Sequence, residues 1–253
     1  MEQNLQRQVQ QAAEALIRWR HGVVLTGAGI SVESGLPDFR SPGGLWERFD
    51  PMDYASIQAF KDNPQRVWKM LAEFGQILGR ARPNDGHRAL ARLEGLGVLD
   101  GLVTQNIDNL HHEAGSRHVV EFHGNGKRLR CLKCNGVESS ADATGRSMPP
   151  RCATCGDILK PDIVFFGEMI PQDAMRGAMQ LLSECKVMLV VATSATVAPA
   201  SLIPMAARQQ GAFLVELNLG PTELTSSCDL AIHANITQSL PMLADAVEAL
   251  VGA

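Results

Sequence analysis

No apolar run in this chain approaches the roughly 20 residues that a helix needs to cross a bilayer. Charge of one sign is not in excess either. The 23 Lys and Arg stand against 27 Asp and Glu, a formal net charge of -4, so nothing favours nucleic acid or an anionic membrane as partner. The longest basic cluster, Lys127, Arg128, Arg130 and Lys133, reads as a solvated face. Residues 1–19 lack the basic start and apolar centre of a signal peptide. They show helical spacing of Leu5, Val9, Ala12, Ala13, Leu16 and Ile17 instead, as in an amphipathic helix. A cytoplasmic location is therefore the expectation. Internal repeats and low-complexity segments are missing. Cysteine is scarce, and four of the six lie in two CxxC pairs, which in a reducing compartment suggest a metal rather than disulfides.

What is present is ordinary for a globular enzyme. The 253 residues are 45% hydrophobic and 20% charged, enough for one large domain, alone or with a smaller module. Strand-like runs occur at Val23–Thr26, Val98–Thr104, Val187–Thr193, Phe213–Asn218 and Leu230–Ile232. VMLVVAT and FLVELN are nearly continuous in apolar residues, as in strands covered on both faces. Helical patterns lie between them, at Gln172–Ser183 and at Ser201–Gln210, the latter stopped by Gly211. The fold class expected is α/β, a doubly wound parallel Rossmann-like sheet. Two stretches break the rhythm. Residues 41–85 are turn-rich and then helical, with Asn63 as N-cap, Pro64 at the first helical position, and an apolar face of Val67, Met70, Leu71, Phe74, Ile77 and Leu78. Residues 126–161 carry the CxxC pairs. Together they predict a small helical and zinc-binding module, inserted into a larger domain of residues 1–40, 86–125 and 162–253.

Cys131-x2-Cys134 and Cys152-x2-Cys155 are separated by seventeen residues. Paired cysteines at this spacing let two thiolates reach one ion from a tight turn, and four close a tetrahedral structural zinc site. An iron–sulfur site or a redox dithiol pair is the alternative. Cys185 and Cys228 lie near strands and read as small apolar residues.

The strand VVLT runs into Gly27-Ala28-Gly29-Ile30-Ser31, a turn that suits a pyrophosphate. The full G-x-G-x-x-G pattern fails at Val32, so a plain strand-to-helix turn explains the motif as well. Thr104-Gln105-Asn106-Ile107-Asp108 sits at a strand end, where open α/β sheets bind ligands. Its amides and carboxylate suit ribose hydroxyls and a carboxamide. His123, in Glu121-Phe122-His123-Gly124, is a natural general base. His87 looks like part of a helix start, His111 and His112 like structural residues, and Trp19 and Trp68 like packing anchors.

In order along the chain, GAGISVESGLPDFRSPGGLW (27–46), TQNIDNLHHEAG (104–115), EFHGN (121–125), the CxxC pairs, KPDIVFFGE (160–168), VVATSATVAPA (190–200) and LVELN (214–218) resemble the sirtuin family. The resemblance implies an NAD-dependent protein-lysine deacylase that transfers the acyl group to ADP-ribose and releases nicotinamide, with one structural zinc. It implies that His123, a general base on a ribose hydroxyl, and Asn106 are catalytic. Gly27, Ala28, Gly29, Ser31 and Arg40 would hold phosphates, and Asp38 and Phe39 the nicotinamide ribose side. Gln105, Asn106 and Ile107 would hold ribose, and Asp108 the carboxamide. Thr193, Ser194 and Asn218 would line adenosine. Val164, Phe165, Gly167, Glu168 and Val197 would bind an extended acyl-lysine peptide. The chain departs from the family at Ala192, often Gly, and at Ala234 and Ile236, where Gly-x-Ala is usual; Ile236 is carried over as an adenine contact. Leu71 and Phe74 stand where relatives selective for acidic acyl groups carry Tyr and Arg, so an apolar acyl pocket is expected. The alternatives are a mono-ADP-ribosyltransferase or NAD hydrolase, and a non-catalytic NAD-sensing module.

Overall fold

A computed structural model describes residues 2–37, 45–143 and 147–252. In chain order the elements are α1 (Glu2–Trp19), β1 (Gly22–Thr26), α2 (Leu45–Arg48), α3 (Pro51–Tyr54), α4 (Ile57–Asp62), α5 (Pro64–Arg80), α6 (Asp85–Gly95), β2 (Leu99–Thr104), α7 (Leu110–Glu113), β3 (Val119–Glu121), β4 (Gly124–Cys131), β5 (Val137–Ser139), β6 (Leu159–Ile163), α8 (Gln172–Ser183), β7 (Val187–Val191), α9 (Ile203–Gln209), β8 (Phe213–Asn218), β9 (Leu230–His233) and α10 (Ile236–Val251).

Six strands form one sheet in the order β3-β2-β1-β7-β8-β9, every pairing parallel. Strand alternation sorts its side chains into two cores. Val24, Leu189 and Val215 meet Val9, Leu16, Leu90, Leu93, Leu240 and Leu243 from α1, α6 and α10. Val23, Leu25, Met188, Val190 and Leu214 meet Leu181, Leu182, Ile203 and Ala207 from α8 and α9. Covered on both faces, β1 and β7 are buried at every residue, which is why their sequences are continuously apolar. This is the doubly wound sheet expected.

The two interrupting stretches meet. A three-stranded antiparallel sheet, β5-β4-β6, packs Leu129 and Leu159 against Phe60, Val67 and Trp68 of α4 and α5. The Trp68 indole N–H donates to the Leu159 carbonyl at 2.8 Å. Asn63 caps α5 by accepting from the Arg66 N–H, with Pro64 in the first turn. The sequence boundaries shift in three places. β7 stops at Val191 because Ala192 takes φ +51, outside the β region. The segment after Gly27 is a 3-10 turn, Ala28–Ser34, rather than an α-helix. Helix α9 begins only at Ile203, after a 3-10 turn at Ala200–Leu202; it ends as expected at Gly211, φ +87, whose N–H reaches the Arg208 carbonyl. The short strand β3 escaped sequence reading, being only three residues long.

Candidate functional site

A cavity of about 820 Å³ opens outside the carboxyl ends of β1, β2, β7 and β8. Strands β2 and β3 lie on one side of β1, and β7, β8 and β9 on the other. The β1/β7 junction is therefore the topological switch point, where open α/β sheets bind ligands. Met70, Leu71 and Phe74 of α5 and the segment 163–170 close the far wall.

The glycines of the first turn answer to the crossing of β7. A Cβ on Gly27 would stand 2.6 Å from Thr193 Cβ, and one on Gly29 would stand 2.9 Å from the Ala192 carbonyl oxygen. That carbonyl accepts the Gly29 N–H at 3.1 Å. With no side chain in the way, Gly27, Ala28 and Gly29 all line the cavity.

A buried polar network fixes the strand ends behind the cavity. The Ser31 hydroxyl donates to Asp108 Oδ2 at 2.7 Å and accepts from Asn106 Nδ2 at 3.1 Å. Asp108 Oδ1 accepts the Leu110 N–H. Burial raises the Asp108 carboxyl above its ordinary range, against the hydrogen bonds from Leu110, Ser31 and its own backbone that favour the anion. Gln105 reaches across the sheet, its Nε2 donating to Thr193 Oγ1 at 2.9 Å. Further back, the Asn84 N–H donates to His87 Nδ1 at 3.3 Å, and His87 Nε2 faces the Ser31 hydroxyl at 3.4 Å. His111 Nε2 lies 3.0 Å from Thr26 Oγ1, which itself donates to Thr104 Oγ1 at 2.8 Å, and His111 Nδ1 meets no hydrogen-bond partner among the described residues. Desolvation lowers both histidines, His87 to about 4 and His111 well below 6.5. They are neutral inside the fold.

His123 is held differently. Its ring lines the cavity, and Nδ1–H donates to the Gln105 carbonyl at 3.1 Å. That bond fixes the tautomer and leaves Nε2 as an acceptor, without a protein hydrogen-bond partner among the described residues. Desolvation lowers the pKa, and the Gln105 carbonyl opposes it. The ring is thus a neutral base at pH 7. Its own carbonyl accepts the Val164 N–H at 2.9 Å, so base and segment 164–168 are tied through one peptide group. Gly124, φ +80, permits this; a Cβ there would lie 2.1 Å from the Asp162 carbonyl oxygen. The segment docks on the start of α4 through Phe166 N–H to Ala55 O and Ile57 N–H to Phe166 O. The Glu168 carboxylate turns back on the segment, accepting from the Phe165 N–H at 2.8 Å and from the Lys160 ammonium at 2.9 Å.

The four paired cysteines converge, with all Sγ atoms within 4.8 Å of one another. Cys131 Sγ lies 3.4 Å from Cys155 Sγ, and Cys134 Sγ 3.6 Å from Cys152 Sγ. A tetrahedron with bonds of about 2.3 Å has edges of about 3.8 Å, so this donor set fits a structural zinc with no open position. Each turn closes alike: Asn135 N–H to Cys131 O and Gly156 N–H to Cys152 O, with φ +58 and +77.

The Sir2 family model matches residues 27–199. An NAD-dependent protein deacylase 2 of Pyrobaculum aerophilum is 47% identical over 93% of this chain and 94% of its own. An NAD-dependent protein deacetylase of Caldivirga maquilingensis is 41% identical over 96% and 95%. This chain belongs to the Sir2 family. A Sir2 homologue mutant in complex with ADP-ribose superimposes with TM-score 0.92 at 38% identity, covering 96% of this chain and 97% of that one. A Sir2 complex with a p53 peptide and NAD gives 0.84 at 35%, covering 92% and 95%.

In this Sir2 chain the cleft gathers Gly27, Ala28, Gly29, Gln105, Asn106, Ile107, His123, Thr193, Ser194 and Asn218. Val164, Phe165, Gly167, Glu168 and Val197 join them on the far wall. Ser31 and Asp108 stand behind the cleft, with Ser31 bonded to both Asp108 and Asn106. Ile236 does not line it: the side chain is buried in the core beneath α10, beside Gly86. Position in a terminal motif suggested an adenine contact, but an apolar side chain at a helix start packs inward. Asp38, Phe39 and Arg40 lie outside the described residues. The basic cluster is not simply a solvated face. Arg130 Nε and Arg128 Nε donate to Asp162 at 2.7 and 3.0 Å, and Arg128 also pairs with Glu121. Sequence reading missed the segment Leu219–Glu223, which completes the cleft after Asn218; the Gly220-Pro221 dipeptide is a turn signal that carries no information about facing. Met70 was assigned to a core face, and the same helical face continues into the cleft.

Proposed function

We propose that this protein is an NAD-dependent protein-lysine deacylase that transfers the acyl group to ADP-ribose and releases nicotinamide. The observation that carries the reading is His123, a neutral imidazole with Nδ1–H committed to the Gln105 carbonyl and Nε2 free within the cleft. Binding NAD needs no general base; transferring an acyl group to a ribose hydroxyl does.

When bound, NAD supplies an activated sugar carbon with nicotinamide as leaving group. The protein supplies position and proton transfer. Asn106, buried and bonded to Ser31, presents its amide at the reacting centre, and Gln105 and Ile107 line the ribose. Gly27, Ala28 and Gly29, with Arg40, hold the phosphates, and Ser31, expected among them, supports Asn106 from behind the cleft. Asp108 secures the carboxamide side through Ser31, and Asp38 and Phe39 cover the nicotinamide ribose. Thr193, Ser194 and Asn218 take adenosine. Nε2 of His123 removes the ribose proton. Residues 164–168 and Val197 take the peptide as an added extended strand. Zinc on Cys131, Cys134, Cys152 and Cys155, when bound, holds the inserted module together away from the chemistry. Residues 41–85 and 126–161 then act as one body closing over the nucleotide. Met70, Leu71, Phe74 and Phe165 face the cleft, and no lysine or arginine is among its described lining residues. Apolar acyl groups are therefore favoured over acidic ones, whose carboxylate would be buried unpaired. No helix among the described residues is long and apolar enough to cross a membrane, and paired cysteines that suit a metal rather than disulfides fit a reducing compartment such as the cytoplasm.

The test is nicotinamide release from NAD with and without an acetyl-lysine peptide, following the peptide's mass. Peptide-dependent release is expected, falling about 10²–10⁴-fold in His123→Ala with NAD binding retained. Release independent of peptide would make the protein an NAD hydrolase or ADP-ribosyltransferase. NAD binding without any turnover would make it a sensor.

A further inference from the structure

Large apolar side chains are left exposed in one stretch beside the cleft. Phe166, Met169, Met175 and Met179 are all exposed, Met169 at 83%. Exposed apolar groups clustered beside a binding site mark a surface that meets a partner. Met169 and Met175 line a shallow groove of about 530 Å³ with Ile170, Gln172, Arg176 and Pro199, and Glu168 stands at one end. Glu168, Ile170 and Pro199 also line the main cleft, so groove and cleft are one continuous surface.

The charges at the groove are already engaged. Arg176 pairs with Asp173 on the same helix. The Glu168 carboxylate holds the Phe165 N–H and Lys160. What remains to meet a ligand is two thioethers, an isoleucine and a proline ring, with the exposed Gln172 amide at the rim and no unpaired cation among the lining residues.

We propose that this groove is a subsite for a large apolar side chain of the substrate, within three residues of the acyl-lysine. The proposal rests on the deacylase reading and extends it to sequence selectivity. A peptide added as an extended strand along 164–168 and 197–199 advances about 3.3 Å per residue, and every second side chain faces the same way. A residue two or three positions from a lysine inserted in the cleft therefore reaches the neighbouring groove. Methionines adapt their shape to leucine, methionine or phenylalanine alike. The selectivity is for a class of side chain, apolar and large, rather than for one residue. A glutamate at that position meets no unpaired cation and is no better than glycine.

The experiment compares acetyl-lysine peptides carrying Leu, Glu or Gly at each of the three positions on either side of the lysine. Binding of fluorescently labelled peptides and initial rates of deacetylation are both measured. Leu is expected to improve Kd and KM about three- to tenfold over Gly at one or two positions, as partial burial of one side chain gives. Met175→Glu should bring that ratio close to one. Met148→Glu, an exposed methionine on the cysteine-bearing module, should leave it unchanged. Equal binding of all peptides by the unaltered protein, or a Leu preference untouched by Met175→Glu, overturns the subsite. A Leu preference in binding with no turnover of any peptide would instead remove the deacylase reading and keep the groove.

Discussion

Burial acts alike on three histidines near one strand end, and their partners separate them. His87 and His111 have both faces packed, their rings edge-on at 4.9 Å between centroids. His123 keeps one nitrogen in the cleft. Desolvation lowers its pKa more than the Gln105 carbonyl restores it, so the base stays neutral below pH 6.5. The acid limb of kcat/KM should accordingly fall below 6.5, with activity lost as pH drops through the lowered value; a limb above 6.5 in the pH–rate profile would contradict this. His87 makes a stability statement. The unfolded chain takes its proton near 6.5 and the folded one near 4, so between those values the unfolded state binds more protons and stability rises with pH. The contribution is full above 6.5 and is lost as pH falls toward 4, up to about 3 kcal/mol. Urea midpoints from pH 4.5 to 7.5 should show that slope, and His87→Gln should reduce it, the part that remains coming from His111, also lowered by burial. Neither histidine's burial was visible in the sequence, because the residues that desolvate them come from distant segments. The FHG context alone singled out His123.

Among elements, the two CxxC turns and helix α5 depend on each other. The turns sit on β4 and β6, and β6 accepts the Trp68 indole N–H. Removing the metal should loosen β4–β6 first and wet Trp68. Chelation is therefore expected to red-shift tryptophan emission, and Trp68→Phe to abolish most of the shift. An unchanged spectrum after verified metal loss would mean that the module's core stands without the ion. The metal site was legible because ligand spacing is a local property. The Arg128–Asp162 and Arg130–Asp162 bonds were not, since 34 and 32 residues separate the partners; the same arginines looked like a solvated face. Ala192 shows the converse. Its φ of +51 gives a backbone reason for the glycine that the family resemblance implies at this position, since a left-handed alanine costs roughly 1–2 kcal/mol.

For the whole molecule, the decisive arrangement is the reversal of strand order at β1/β7, which opens a cleft between the sheet's carboxyl ends and the inserted module. A ligand that binds only the folded chain stabilises it by about 2.7 kcal/mol at 100 times its Kd. For a chain of this size that amounts to roughly 5–10 °C in Tm. NAD should produce such a shift, and none up to millimolar NAD would deny the cleft its ligand.

The sequence by itself determined the α/β class, five of the six strands of the parallel sheet, the four clustered cysteines and the histidine proposed as base. These follow from periodicity, from glycine and proline placement and from spacing, all of which act over a few residues. Only the tertiary structure decided that Met70 faces the cleft and Ile236 does not, that Ser31 and Asp108 work from behind it, and that Leu219–Glu223 complete it. It also decided that a methionine-lined groove continues from the peptide cleft. Each of these depends on which apolar face finds a partner and which is left open, and that is settled only when distant segments pack together.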